Sequence, residues 1–240
     1  MSTATSPDAG YFTSDVEDGV YYPSSDGKPM AETGIHVTAI LMLYQALEDF
    51  FRGRDDVYFA ANMFWYWEKG NPKARRAPDV MVVTGVPAEP LRRSFRSWQE
   101  GAVPAAIFEV TSKKTWQTDL TTKHRLYRDL GVREYFVFDP DNKYVRPALV
   151  GFRLRNGGYE PIEWDRENRL ASDLGFLVRA DGQTMRLFDG PTGEPILTRA
   201  EAVAAQRERA EQERQRAEQL QAENAALRRQ LAQSGGPPAS

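Results

Sequence analysis

Two stretches decide the fold: PDVMVV at 78–83 and AAIFEVTSKKTWQTDLTTKHRLYRDLGVREYFVFDP at 105–140. The first is a short apolar run behind Pro78 that continues to Gly85, the pattern of a strand covered on both faces. The second reads as strand, helix, strand. AAIFEVTS (105–112) is apolar up to Glu109. TDLTTKHRLYRDLG (118–131) spaces Leu120, His124, Tyr127 and Leu130 for one helix, which Gly131 closes. REYFVFDP (133–140) is another buried strand, stopped by Asp139-Pro140.

Working outward, IHVTAILMLYQALEDFF (35–51) sets Ile35, Ala39, Met42, Leu43, Ala46, Leu47 and Phe50 on one stripe. That predicts an amphipathic helix beginning near Thr33 or Gly34 and ending before Gly53. DVYFAANMFWYWEK (56–69) is aromatic and rich in strand formers, and 144–162 predicts a hairpin around Asn156-Gly157-Gly158. Helix, three strands, helix, strand and extra hairpin strands make an α/β domain: a mixed central sheet with a helix on each side. The expected organisation is an N-terminal arm (1–30), this domain (31–197), a C-terminal helix (198–233) and a disordered end (234–240).

Composition narrows the chemistry. No cysteine is present, so thiol nucleophiles, thiolate metal sites and disulfides are excluded. His36 and His124 are the only imidazoles, too few for a zinc site built on histidine. The formal charge of -3 means that any affinity for nucleic acid comes from a local patch. The N-terminus lacks a secretory pattern and no apolar run is long enough to span a membrane, so a soluble cytoplasmic protein is expected. Carboxylates, lysines and a hard cation remain.

Asp79 begins one apolar strand and Glu109 interrupts another, and a buried acid needs a partner. Together the two offer oxygens to one Mg²⁺; alternatively each meets an arginine such as Arg75 or Arg76. Lys123, one turn after Asp119 and on a face apart from Leu120 and Tyr127, either pairs with Asp119 or stands near the two acids, where an ammonium offsets charge on a phosphate.

These residues carry a resemblance. Pro78-Asp79-Val80, Glu109-Val110-Thr111-Ser112, Asp119, Lys123, Tyr127, Gly131-Val132, Glu134-Tyr135 and Asp139-Pro140 are similar in order and spacing to the Uma-type family of restriction endonucleases, within the PD-(D/E)XK nuclease superfamily. The resemblance spans roughly residues 20 to 190. It implies a restriction-endonuclease-like core in which Asp79 and Glu109 bind Mg²⁺ (or Mn²⁺) and Lys123 completes the catalytic set. Thr111 stands where the superfamily motif has lysine, so Lys123 looks like its displaced substitute, with Lys113 a second candidate. Glu32 would be the acid near the first helix, and His36 a proton carrier or phosphate contact.

The implied activity is Mg²⁺-dependent hydrolysis of DNA phosphodiester bonds. The alternative is a catalytically inactive nuclease fold that binds nucleic acid or protein. Arg75, Arg76, Arg92 and Arg93, with Arg96, Lys113 and Lys114, are expected to form a phosphate-binding patch around the site. Trp65, Trp67 and Trp98 are candidates for stacking on bases, but Trp65 and Trp67 share strand parity and fit sheet packing better. In the tail, Val203, Ala210, Ala217, Asn224 and Leu231 fall at heptad a positions, and Gln206, Glu213, Leu220 and Leu227 at d. A coiled-coil homodimer through this helix is expected, which would suit cutting two strands.

Overall fold

Along the deciding strands, successive side chains turn to opposite faces, and both faces are buried. Val80, Val82, Ala106, Phe108, Val110, Phe136 and Phe138 enter one core cluster. Met81, Val83, Ile107, Tyr135 and Val137 enter another. That is why these segments read as continuous apolar runs and not as alternating ones.

The computed structural model describes residues 15–25, 27 and 33–234, with side chains as far as residue 230. They fall into two units, dividing between Ile196 and Leu197. In chain order the first unit holds the hairpin β1 (Val16–Glu17) and β2 (Val20–Tyr21), helix α1 (Gly34–Phe50), and strands β3 (Val57–Ala61), β4 (Trp65–Tyr66), β5 (Arg75–Arg76), β6 (Val80–Thr84) and β7 (Phe95–Arg96). The single turn α2 (Ser97–Glu100) and β8 (Ala106–Val110) follow. One helix then runs in three pieces: α3 (Trp116–Thr118), a π-helical turn (Asp119–Lys123) and α4 (His124–Asp129). β9 (Glu134–Phe138), β10 (Leu149–Arg155), β11 (Gly158–Pro161), β12 (Leu170–Ala171), β13 (Phe176–Asp181) and β14 (Thr184–Asp189) complete it.

The central sheet has the order β11-β10-β9-β8-β6-β3. Its β8 and β9 are parallel and its other neighbours antiparallel. The α/β architecture with a mixed sheet is as expected. On one face lie α1 and the sheet β12-β13-β14; the other carries Tyr127 of α4 together with Trp65 and Phe95 of the sheet β5-β4-β7. Thr33 caps α1, its Oγ1 accepting from the His36 N–H at 3.3 Å. The buried residues of α1 are Ala39, Ile40, Leu43 and Leu47, while Ile35 and Met42 are only half-buried. Contact with β14 as well as the central sheet widens the buried arc to include Ile40.

The predicted hairpin forms between β10 and β11. Asn156 (φ 50°) and Gly157 (φ 79°) are both left-handed, as the tight two-residue turn requires. Gly131 (φ 81°) ends the α4 helix in the same conformation. The described part of the N-terminal arm is more anchored than its polar composition suggests. Tyr22 is buried against Tyr66 and Trp98, and its hydroxyl accepts the Gly70 N–H at 2.7 Å. Glu17 accepts from Trp98 Nε1 at 3.0 Å and Gln99 Nε2 at 2.7 Å. Trp65 is fully buried and donates to Ser97 Oγ at 2.8 Å, so its role is packing.

The second unit contains α5 (Arg199–Ser234). Its start is set by a capping box: Thr198 Oγ1 accepts the Glu201 N–H at 3.2 Å, and Glu201 returns a carboxylate to the Thr198 N–H at 2.8 Å. Val203, Leu220 and Leu227 are about half exposed on this helix. Residues 235–240 of the expected disordered end lie outside the described residues.

Glu134, in the family-like pattern, is structural. Its buried Oε1 accepts from Arg153 Nε (3.0 Å), Arg153 Nη2 (2.8 Å) and the Asp173 N–H (2.9 Å), and Oε2 from the Ser172 hydroxyl. This carboxylate ties the central sheet to the loop between β12 and β13. Removing it strands several donors at once, so Glu134→Ala should destabilise the protein by about 2–4 kcal/mol in urea unfolding. A change below ~1 kcal/mol would show that the tie is dispensable.

Candidate active site

Antiparallel register brings the two acids together. Val80 pairs with Phe108, and the same register carried one step further sets Asp79 opposite Glu109. Asp79 lies just ahead of β6, and its Oδ2 accepts the Val110 N–H at 2.6 Å. Its Oδ1 is 3.6 Å from Nε2 of His36, on the first turn of α1.

Glu109 is 1% exposed. Its Oε1 accepts the Tyr127 hydroxyl at 2.7 Å, and its Oε2 lies 2.9 Å from Nζ of Lys123. The same ammonium is 2.8 Å from Oδ1 of buried Asp119. Asp119 Oδ2 in turn accepts the Thr111 hydroxyl at 2.7 Å, while its main-chain carbonyl accepts from Tyr135 at 3.0 Å. Asp119, Lys123 and Tyr127 are spaced by four and share the helix face turned to Glu109. The expectation that Lys123 and Tyr127 occupy separate faces is therefore corrected: they hold the two oxygens of one carboxylate. The π-helical turn falls on the Asp119–Lys123 segment. Such turns recur at functional sites.

Burial pushes Glu109 up to about 8, against the pull of Lys123 and with the repulsion of Asp79 and Asp119 added. Burial acts to lower the Lys123 ammonium, but Glu109 and Asp119 outweigh it and its pKa is raised. Burial and the nearby carboxylates raise Tyr127 and Tyr135 well above the usual phenol range, so both stay neutral donors. With all groups ionised, three carboxylates face one ammonium, leaving two negative charges in excess. That imbalance and the all-oxygen donor set fit a hard divalent cation. No three acidic or imidazole side chains are gathered into a complete cation cage among the described residues. A cation here would be held by Asp79 and Glu109 and would keep several waters, the habit of Mg²⁺.

The site opens into a cleft of about 490 Å³. Thr33, His36, Asp79, Asp119 and Lys123 line it together with Ser112, Lys113, Lys114, Thr115, Asp141 and Tyr144. Glu109 lies behind Lys123 and is not part of the lining. Asp79, Glu109 and Lys123 are thus brought together, with His36 beside Asp79. Thr111 is buried and occupied with Asp119. Lys113 projects into the cleft beyond the end of β8, and Glu32 falls outside the described residues.

The expected arginine patch is corrected. None of Arg75, Arg76, Arg92 and Arg93 lines the cleft. Arg92 is buried in an ion pair with Glu100 at 2.6 Å, and Arg96 is buried against Glu17 and Tyr22. Arg75 lies over the Phe64 ring and Arg93 is 3.5 Å from Asp15. The acids are likewise not paired with Arg75 or Arg76. Lys123 meets Asp119 and Glu109 at once, so both alternatives for it hold, and Tyr127 and Tyr144 are site residues to which the sequence alone assigned no role. The four-residue spacing from Lys123 was the signal for Tyr127; nothing local marks Tyr144.

A family model described as "Uma2: Putative restriction endonuclease" matches residues 10–186. The chain belongs to the Uma2 family. The matched span contains every residue of the Uma2 cleft named above and stops short of α5. Among solved structures, the chain is similar to one described as a putative nuclease belonging to DUF820 from Anabaena variabilis ATCC 29413, at 13% identity, with a TM-score of 0.46. That similarity covers 66% of this chain and 80% of the other. No curated protein matches.

Glu109 gives the Uma2 site a pH signature. Folding raises its pKa from 4.5 to about 8, so its stabilising contribution is complete below 4.5 and disappears as pH rises through 8. In EDTA, the stability of the wild type should fall relative to Glu109→Gln between about pH 5 and pH 8, by at most ~1.4 kcal/mol per pH unit. Parallel stability profiles for the two proteins would contradict the shift.

Proposed function

We propose that this Uma2 protein is a Mg²⁺-dependent endonuclease that hydrolyses DNA phosphodiester bonds, with Asp79, Glu109 and Lys123 as the catalytic set. The observation that carries the reading is the excess of carboxylate over ammonium where the central sheet meets an open cleft. The family description as restriction endonucleases supports it.

Asp79 and Glu109 would hold the ion. When bound, Mg²⁺ supplies Lewis-acid polarisation of the phosphate and a more acidic water. The Val110 N–H fixes one Asp79 oxygen, leaving Oδ1 on the His36 side. Lys123 reaches the cleft from the helix; its ammonium orients the attacking water and offsets charge building on phosphorus. His36 acts beside Asp79 as a phosphate contact or proton carrier. Asp119 and Tyr127 hold Lys123 and Glu109 in place.

The inactive-fold reading has its own observation, since Glu109 has both oxygens engaged and stands behind Lys123. Cleavage assays separate the two. Duplex, single-stranded and branched DNA should be cut with Mg²⁺ or Mn²⁺ and spared in EDTA. Asp79→Asn, Glu109→Gln and Lys123→Met should each lower the rate by about 10²-fold or more while the protein remains folded. DNA that is bound but never cut, with wild type and variants alike, would replace the enzyme with a binding module.

In this reading α5 pairs with a second copy, so that two sites meet two strands. The exposed Leu220 and Leu227 supply the seam, and Asn224 between them favours a parallel pair. The protein works in the cytoplasm, and among the described residues no helix is long and apolar enough to cross a membrane. Leu220→Asp with Leu227→Asp should convert a dimer to a monomer in analytical ultracentrifugation. An unchanged mass would remove α5 from the interface.

A further inference from the structure

One part of the cleft wall is built differently from the acids Asp79 and Asp119. It comprises the turn 112–115 and the loop 140–144. The turn is closed by its own groups: the Thr115 N–H donates to the Ser112 carbonyl at 3.1 Å, and the Ser112 N–H donates to Thr115 Oγ1 at 3.0 Å. Its backbone is therefore held while the exposed side chains of Lys113 and Lys114 line the cleft.

The second part of the wall is pinned by Asp139. Its Oδ2 accepts the N–H groups of Lys143 (2.7 Å), Tyr144 (2.5 Å) and Val145 (3.0 Å), and its Oδ1 accepts that of Asp141 (3.1 Å). One buried carboxylate thus fixes the backbone that carries Tyr144 into the cleft. The Tyr144 ring is backed by Trp116 in a near-parallel arrangement, 17° between planes and 6.4 Å between centroids. The remaining charged group of the wall, Asp141, is 3.5 Å from Lys143.

We propose that Lys113, Lys114 and Tyr144 form a subsite for the nucleotide next to the scissile bond, the lysines on its phosphate and Tyr144 stacked on its base. Two cations beside a rigidly mounted aromatic ring match the two recurring features of a nucleic-acid strand, backbone charge and a base with a π-face. Such a wall is indifferent to sequence, because every base presents a face and every nucleotide a phosphate. The inference rests on the nucleic-acid substrate proposed above, and it moves the strand-binding charge from the arginines to this pair of lysines.

The test is equilibrium anisotropy on the full chain, with a fluorescein-labelled single-stranded oligonucleotide and its duplex, Ca²⁺ replacing Mg²⁺. Lys113→Gln with Lys114→Gln should weaken single-strand binding about tenfold near 0.1 M salt and flatten the log affinity against log salt slope by about 1.4. Tyr144→Ala should weaken it about fivefold with the slope unchanged, and Tyr144→Phe should restore it. An unaltered slope in the lysine pair, or Tyr144→Phe binding as poorly as Tyr144→Ala, overturns the assignment. So does failure of the wild type to bind either oligonucleotide. The expected binding pattern in a protein that cuts nothing with Mg²⁺ keeps the subsite and discards the hydrolysis, so the two readings fail separately.

Discussion

A carboxylate shut inside a sheet needs a positive charge, and in this protein one ammonium meets that need for two acids. Lys123 touches Glu109 and Asp119 together, while a phenol holds the other oxygen of Glu109. Most of the neighbouring structure follows from keeping that contact. β8 carries Glu109 inward on the face that also holds Ile107, the helix must lie across that face, and Trp65 flanks Tyr127 with ring centroids 6.1 Å apart. The register of β6 against β8 then adds Asp79, a like charge across the strands. Such a pair is unfavourable unless something cationic lies between. The arrangement leaves carboxylate in excess of ammonium beside an open cleft, which is how a site differs from an ordinary buried ion pair.

Around this centre three other carboxylates do purely mechanical work. Glu134 joins the central sheet to the β12–β13 loop, Asp139 gathers a loop through four backbone donors, and Glu17 fastens the N-terminal hairpin to the small sheet. Each satisfies several donors at once, so none leaves a surplus for a ligand. The contrast with Asp79 and Glu109 lies in their companions. Structural acids here are surrounded by donors, whereas the candidate catalytic acids are surrounded partly by other acids.

Much of this could be read from residues in order. The runs VMVV and EYFVF are apolar at every position because both sheet faces are covered, and Asn156-Gly157 encodes its turn by itself. Asp79, Glu109 and Lys123 stood out as charges in apolar or helical settings, and they do converge. What stayed hidden depended on distant partners. Arg92 finds Glu100 and Arg96 finds Glu17, 79 positions away, so both arginines vanish into packing while the sequence shows only a basic cluster. The sheet β12-β13-β14 over α1 was equally illegible, since what its strands cover is decided by residues far away in the chain. Tyr144 gains its position from Asp139, five residues back, through a loop whose shape no periodicity describes.

The widened turn of the helix has a consequence for how the family can vary. From Asp119 to Lys123 the chain fits one residue more per turn than an α-helix would, and Tyr127 follows directly. Deleting a single residue there would let the coil regularise with the downstream phase nearly kept, whereas a deletion in the α-helical turns on either side would swing everything beyond it by about 100°. A deletion between His124 and Leu126 would carry Tyr127 away from Glu109 even though no side chain had been exchanged. The π-helical turn is accordingly the place in this helix that absorbs a one-residue change of length, while the α-helical turn carrying Tyr127 is confined in length.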